Sequence, residues 1–278
     1  MVIADNCAII VNDIFANYDS YSGTTLILGA IFFAFQIYGD FSGYSNIAIG
    51  TARLFGFNLM QNFAFRYFSR DIAEFWRKWH ISLSTWFRDY LYIPIGGSRG
   101  STKKKIRNIF IIFIVSGFWH GADWTFIIWG ALNALYFIPL LLLNRNRNNL
   151  DIVAEGSRLP SLRDVINIAI TFLITVFAWI FFRAESVTHA LSFIKHLFAN
   201  LYLEIPNILE VGDWHIFITS ILILVFISIE WMGREGKYAI EKYSSNWGKT
   251  KRWGFYYIIL IAIFMYSANQ QEFIYFQF

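Results

Sequence analysis

The sequence predicts an all-α fold, a polytopic bundle of membrane helices, on two observations. The chain has 278 residues, of which 56% are hydrophobic and only 15% are charged, whereas ordinary soluble domains carry about 25% charged residues. It also contains five apolar stretches, each about long enough to cross a hydrocarbon core as a helix. A buried helix of a soluble protein could explain any one of them, but not all five. The stretches begin near Tyr21, Trp124, Val165, Trp214 and Trp253.

The distribution of basic residues predicts the orientation of the chain. Of the 23 Lys and Arg residues, 21 lie in the segments Thr51–Asn108, Asn144–Asp164 and Gly233–Trp253, and the first 23 residues contain none. Basic loops stay on the cytoplasmic side of a membrane. We therefore expect these three loops inside and both ends of the chain outside. Their position beside membrane spans accounts for the charge, so we expect no nucleic-acid partner.

The first elements are a short helix and a long span. Ile10 and Ile14 lie at helical spacing within the first 20 residues. The first span covers about Tyr21 to Ile49 and is interrupted by Gly39–Gly43, where the glycines permit either a break or close packing. Asp40 within this stretch is more readily explained as a capping or packing acid than as a catalytic one.

The segment Ser69–Pro94 has a different pattern. Its aromatic and aliphatic residues recur at spacings of three and four, and most of its charges lie on the opposite face. This pattern predicts one amphipathic helix lying in the cytoplasmic interface of the membrane. Ser69 or Asp71 can cap its start, and Pro94 can end it.

The next element is predicted to be a hairpin within the membrane. Its arms are Ile106–Gly117 and Thr125–Leu143, and the first arm is too short to span fully. The turn between them, which carries His120, would then lie at membrane depth. Backbone that leaves the helical form there must be buried in protein or line a wet cavity. Three further spans follow, at 165–182, 214–229 and 253–271.

Two histidines are candidates for chemistry. A titratable side chain at membrane depth is a functional-site hypothesis by default, and imidazole can accept and return a proton near neutral pH. His120 therefore suits a general base, although spacing alone supports equally well a histidine that bridges helices by hydrogen bonds. His80 lies on the interfacial helix, where a purely structural histidine is more common. The two lack the close spacing of paired ligands on one helix, so no metal site is predicted.

Three motifs together resemble the membrane-bound O-acyltransferase (MBOAT) superfamily, and most of all its bacterial alginate O-acetyltransferase branch. They are Asp40–Gly50, Phe75–Pro94 and Gly117–Gly121. The resemblance implies a single membrane domain over 1–278, forming the C-terminal part of a core with additional N-terminal helices, in the bacterial cell (inner) membrane. It also implies that His120 is the catalytic base and His80 the second active-site histidine.

The resemblance further implies an activity. An acyl group, in the first instance acetyl, would pass from a cytoplasmic thioester to hydroxyls of an exported polysaccharide or to an extracytoplasmic acyltransferase partner. The donor would be acetyl-CoA or another acyl thioester, a substrate rather than a bound cofactor, and membrane lipid would surround the protein. Candidate residues for an anionic donor are Arg77, Lys78 and Arg88.

Alternatives stay open at this point. They are D-alanyl transfer to teichoic acid, a non-catalytic membrane scaffold, and a transporter component with a histidine relay. Two positions depart from the pattern that the resemblance leads us to expect, and one of them is Asp123, which stands where asparagine is usual. Arg66 stands where proline is usual in the segment Asn62–Tyr67.

Overall fold

A computed structural model of the protein describes residues 2–202, 212–241 and 247–267, and these residues form helices and no strand. The all-α prediction is therefore confirmed. The helices are α1 (Ala4–Ala16), α2 (Gly23–Leu54), α3 (Ile72–Lys78), α4 (Ile81–Phe87), α5 (Thr102–His120), α6 (Trp124–Leu142), α7 (Leu162–Arg183), α8 (Val187–Ala199), α9 (Asp213–Gly233) and α10 (Lys249–Tyr266).

Among the residues that the structure describes, four segments are long and apolar enough to cross a membrane, and they correspond to four of the five predicted spans. The fifth predicted span begins within α10, and its last four residues, 268–271, lie outside the described residues. The membrane-bundle prediction is thus supported by length and composition. The four segments are Gly23–Leu54, Trp124–Leu142, Leu162–Arg183 and Trp214–Gly233.

The chain divides into two compact units, Met1–Tyr44 with Leu191–Phe278, and Ser45–Ala190. In the first unit, the rings of Phe15 and Phe193 stack with their centroids 4.5 Å apart. Glu230, a buried acid on a candidate span, accepts a hydrogen bond from the Tyr38 hydroxyl. A buried carboxylate in such a helix needs a donor of this kind.

The second unit is built around a cluster of large aromatic side chains. The rings of Trp129 on α6 and Trp179 on α7 stack 5.6 Å apart, and both side chains are at least 98% buried. Trp79, just after α3, lies 5.0 Å from Trp179. These contacts join three helices. The members of this aromatic cluster are Phe75, Trp76, Trp79, Trp129, Trp179 and Phe182.

Helices α5 and α6 are consecutive in the chain and pack against each other, and two glycines set how closely they pack. A Cβ atom on Gly117 would lie 2.3 Å from the backbone oxygen of Phe126, and one on Gly130 would lie 2.3 Å from that of Phe113. Small residues let helix backbones approach in this way. The predicted end of the first arm near Gly117 is wrong, because this glycine packs within α5 and the helix continues to His120.

Of the two alternatives at Gly39–Gly43, a break is excluded, and the prediction of one helix over Ser69–Pro94 is wrong. Helix α2 runs through Gly39 and Gly43 without a break, and a Cβ on Gly39 would lie 3.5 Å from Ala4 of α1. The predicted single helix Ser69–Pro94 is divided into α3, α4 and a π-helical turn at Arg88–Tyr92. Its predicted cap is confirmed, since the Asp71 carboxylate accepts a hydrogen bond from Glu74 N at 2.7 Å.

Replacing Gly117 with alanine should destabilise the hairpin. The new methyl group meets backbone atoms of α6, which cannot rotate away, and overpacking of this kind costs about 1–3 kcal/mol. Thermal unfolding of the purified chain in detergent measures the effect as a lower Tm. The matched control is Gly50→Ala, where no atom lies within 4 Å of the new Cβ. An equal Tm for Gly117→Ala and Gly50→Ala would contradict the packing argument.

Candidate active site

His80 lies at the break between α3 and α4, in a backbone conformation that is unusual for its residue type. Its φ of 42° and ψ of 58° are left-handed, a region that costs a residue with a side chain about 1–3 kcal/mol and that clusters at functional sites. The Ser82 Oγ atom lies 3.4 Å from His80 Nδ1. The break turns the chain at the residue that the sequence singled out.

A segment that precedes α3 in the chain packs along this break. We call residues 61–66 the strap. Its backbone is joined to both sides of His80, because Ala64 N donates to Lys78 O at 3.3 Å and Ile81 N donates to Asn62 O at 3.0 Å. The break is therefore held by long-range hydrogen bonds.

Arg66 ends the strap and is fully buried. Its guanidinium lies over two rings, 3.9 Å from the centroid of Phe63 and 4.7 Å from that of Trp79. Cation–π contacts of this kind favour a cation at a desolvated site. The Phe63 ring also lies 6.2 Å from the His80 ring, so the arginine and the histidine share an aromatic neighbour.

His120 is the last residue of α5, and aromatic rings surround its imidazole. Their centroids lie 4.9 Å away for Trp119, 5.2 Å for Trp129 and 5.1 Å for Phe182, all with the rings close to perpendicular. The Nδ1 atom is buried, although the residue as a whole is only half-buried. The aromatic cluster therefore fixes the orientation of this ring.

The two histidines approach each other around one indole. The Trp119 ring lies 4.9 Å from His120 and 6.3 Å from His80, and about half of its surface is exposed. The structure thus brings together the two residues that the sequence predicted as site residues. A half-exposed indole is therefore the common neighbour of two half-buried imidazoles.

The three basic candidates for donor binding have different surroundings. Arg77 donates to the backbone oxygens of Asn146 and Asn149, at 2.9 and 2.6 Å. Lys78 Nζ lies 2.6 Å from the buried Glu74 carboxylate. Arg88 pairs with the adjacent Asp89 at 2.7 Å, and 57% of its side chain is exposed. Among these three, Arg88 presents the most exposed charge.

Three site neighbours were missed by the sequence analysis. Trp129 and Phe182 contact His120 directly, and Trp179 supports both of them. They lie in apolar helices that have no polar face to show which side of the helix is turned toward the site. The sequence therefore carried no signal for which of their aromatic residues face the histidine.

The fold is that of a helical membrane protein, and it holds two histidines beside one indole. The sequence model of the membrane-bound O-acyltransferase (MBOAT) family matches residues 10–199 of the chain. The chain belongs to this family.

Curated relatives agree with this assignment. The chain is 42% identical over 197 residues to a protein of Pseudomonas aeruginosa named "Probable alginate O-acetylase AlgI", covering 71% of this chain and 36% of that protein. It is 32% identical to the peptidoglycan O-acetyltransferase of Helicobacter pylori, covering 100% of this chain and 54% of that protein. It is 30% identical over 168 residues to the teichoic acid D-alanyltransferase of Bacillus subtilis, covering 56% of this chain and 40% of that protein. The chain thus spans about half or less of these relatives.

His80 should stay neutral well into the acidic range. Burial, and then the nearby charge of Arg66, lower the pKa of His80 from 6.5 to about 4. At pH 5.5 a histidine with the ordinary pKa is about 90% protonated, whereas His80 should be about 3% protonated. Because the folded pKa is the lower one, the related stability is complete above pH 6.5 and is lost as the pH falls through about 4. A ¹⁵N NMR titration of the histidines measures this pKa.

Two variants separate the effect of burial on the pKa of His80 from the effect of the Arg66 charge. Arg66→Gln removes the charge but keeps the burial, so the pKa of His80 should rise and remain below 6.5. Arg66→Lys keeps the charge and should leave the pKa low. A parent His80 that titrates near 6.5 would contradict this description of its surroundings.

Proposed function

We propose that the chain belongs to an enzyme that transfers an acyl group to hydroxyl oxygens, with His120 as the general base and His80 as the second active-site histidine. One observation carries the proposal: both imidazoles face the Trp119 indole, at ring distances of 4.9 and 6.3 Å. Membership in the MBOAT family supports the reaction type. A general base needs this kind of access to the hydroxyl that it deprotonates.

The chemistry follows from these positions. His120 accepts the proton of an acceptor hydroxyl while the hydroxyl oxygen attacks the thioester carbonyl carbon. The new C–O bond forms an ester, the C–S bond breaks, and the leaving thiolate takes up the proton. His80, neutral near pH 7, can donate a hydrogen bond from one ring nitrogen and orient or polarise the thioester. Aromatic packing around His120 holds its ring in place, as a positioned base requires.

The proposed donor is a cytoplasmic acetyl thioester such as acetyl-CoA, and the proposed acceptor is an exported polysaccharide or an extracytoplasmic acyltransferase partner in the bacterial inner membrane. Support comes from relatives whose names specify alginate and peptidoglycan O-acetylation. D-alanyl transfer to teichoic acid is the second candidate, because relatives of 30% and 34% identity carry that name. An assay with acetyl and D-alanyl thioesters side by side distinguishes the two.

His120→Ala should abolish acyl transfer in membranes that carry the complete enzyme, without reducing its amount. Loss of a general base costs about 10²–10⁴ in rate. The measurement is transfer of a radiolabelled acetyl group to the polymer. His189→Ala is the matched control, because His189 is a half-buried histidine on α8 with no proposed role in the reaction, and transfer should stay at the parent level. Full transfer by His120→Ala would contradict the role, and a parent without transfer would favour a scaffold.

Arg88→Gln should raise KM for acetyl-CoA several-fold while kcat stays unchanged, if its exposed charge helps to bind an anionic donor. A short acetyl thioester without phosphates serves as the control substrate, and its KM should not move. Equal effects on both donors, or on neither, would contradict a charge-based role for this residue.

A further inference from the structure

The left-handed backbone of His80 leaves a local problem at the start of α4. His80 occupies the position before the first helical residue, where a side chain normally accepts a hydrogen bond from the first turn. Its own side chain makes no such bond. The first N–H groups of a helix have no partner within that helix, so those of Ile81 and Ser82 need acceptors from elsewhere.

Asn62 supplies both acceptors from the strap. Its backbone oxygen accepts from Ile81 N at 3.0 Å, and its side-chain Oδ1 accepts from Ser82 N at 3.1 Å. These are the two residues that directly follow His80. One asparagine, 18 residues earlier in the chain, therefore caps the helix that His80 begins.

Further contacts hold Asn62 in place. On one side of it, Gln61 Nε2 donates to Phe63 O at 2.7 Å. On the other side, Phe63 packs edge-on against Trp79 with ring centroids 5.7 Å apart. Ala64 N then donates to Lys78 O. The strap is thus fixed to the chain both before and after His80, and Asn62 is the member whose side chain reaches α4.

We propose that Asn62 is a positioning residue for His80: by capping α4 from outside that helix, it holds the left-handed backbone that turns the imidazole toward Trp119. The inference rests on the proposed function for its effect on catalysis, but its structural part does not. Asparagine and aspartate are equally good acceptors at helix starts, and alanine is a poor substitute. The side-chain oxygen should therefore matter more than the amide nitrogen.

The experiment compares Asn62→Ala, Asn62→Asp and Asn58→Ala. Asparagine 58 is an exposed residue of the same connecting segment and serves as the matched control. The first readout needs no activity: in the histidine-labelled chain in lipid bilayers, the ¹³Cα and ¹³Cβ shifts of His80 report its φ and ψ. The chain has five histidines, and His80→Gln assigns the signal. The second readout is kcat and KM for acyl transfer by the complete enzyme at pH 8.

Asn62→Ala should move His80 out of the left-handed region and lower kcat about 10–100-fold, the size of effect that a small misplacement of a reacting group produces, with KM within about twofold. Asn62→Asp should keep the parent shifts and stay within about threefold of the parent kcat, and Asn58→Ala should match the parent. Unchanged His80 shifts or an unchanged kcat in Asn62→Ala would overturn the proposal.

Two further outcomes keep the tests separate. If Asn62→Ala does not fold, Asn62→Asp still decides, because altered His80 shifts or a kcat loss as large as that expected for alanine would overturn the role of the acceptor oxygen. If the parent transfers no acyl group, the proposed function fails, whereas the shift comparison still tests whether Asn62 holds His80.

Discussion

Aromatic packing at the junction of α3, α6 and α7 is the constraint on which the Ser45–Ala190 unit depends. Within a bilayer, lipid is as apolar as a helix surface, so helices associate through close packing and specific contacts and not through hydrophobic burial alone. Trp129 and Trp179 stack in this junction, and Trp79 lies against Trp179. Rigid rings with two torsion angles provide such contacts with little loss of side-chain entropy.

Both histidines depend on this packing. His120 contacts Trp129 and Phe182, while His80 directly follows Trp79, which is 97% buried in the same cluster. A site that needs two imidazoles near one substrate must hold both within a few tenths of an ångström. The cluster fixes His120 through contacts with its imidazole ring. It fixes His80 through the backbone, because His80 directly follows the buried Trp79. The strained conformation of His80 persists because the buried Trp79 and the strap determine the chain on both sides of it.

Much of the fold could be predicted from the sequence. Composition and apolar stretches predicted an all-helical membrane protein, and Asp71 was one of the two residues predicted to cap α3. The break at His80 could not be predicted, because the apolar spacing continues from Phe75 through Trp79 to Leu83 as though one helix were present. Backbone hydrogen bonds from residues 62 and 64 decide the local structure there, and helical periodicity carries no information about such long-range partners.

The site was predicted only in part, for related reasons. The resemblance of the His80 and His120 motifs to a known family implied that the two histidines share a site, which spacing alone did not indicate. The rings that surround them lie in apolar helices where neighbouring positions look alike. Even the end of α5 was misplaced, since Gly117 serves close packing against α6 and does not end the helix. The sequence alone does not distinguish a glycine that packs closely against another helix from one that ends its own helix.

The most direct test of the shared histidine site is a cryo-electron microscopy structure of the complete enzyme with an unreactive acetyl-thioether analogue of the donor. The acyl carbonyl group should lie beside the Trp119 indole. The carbonyl oxygen should lie within about 3 Å of a His80 ring nitrogen, and a ring nitrogen of His120 should face the position of the attacking hydroxyl. An analogue bound elsewhere, or a His120 ring turned toward lipid, would contradict the shared histidine site.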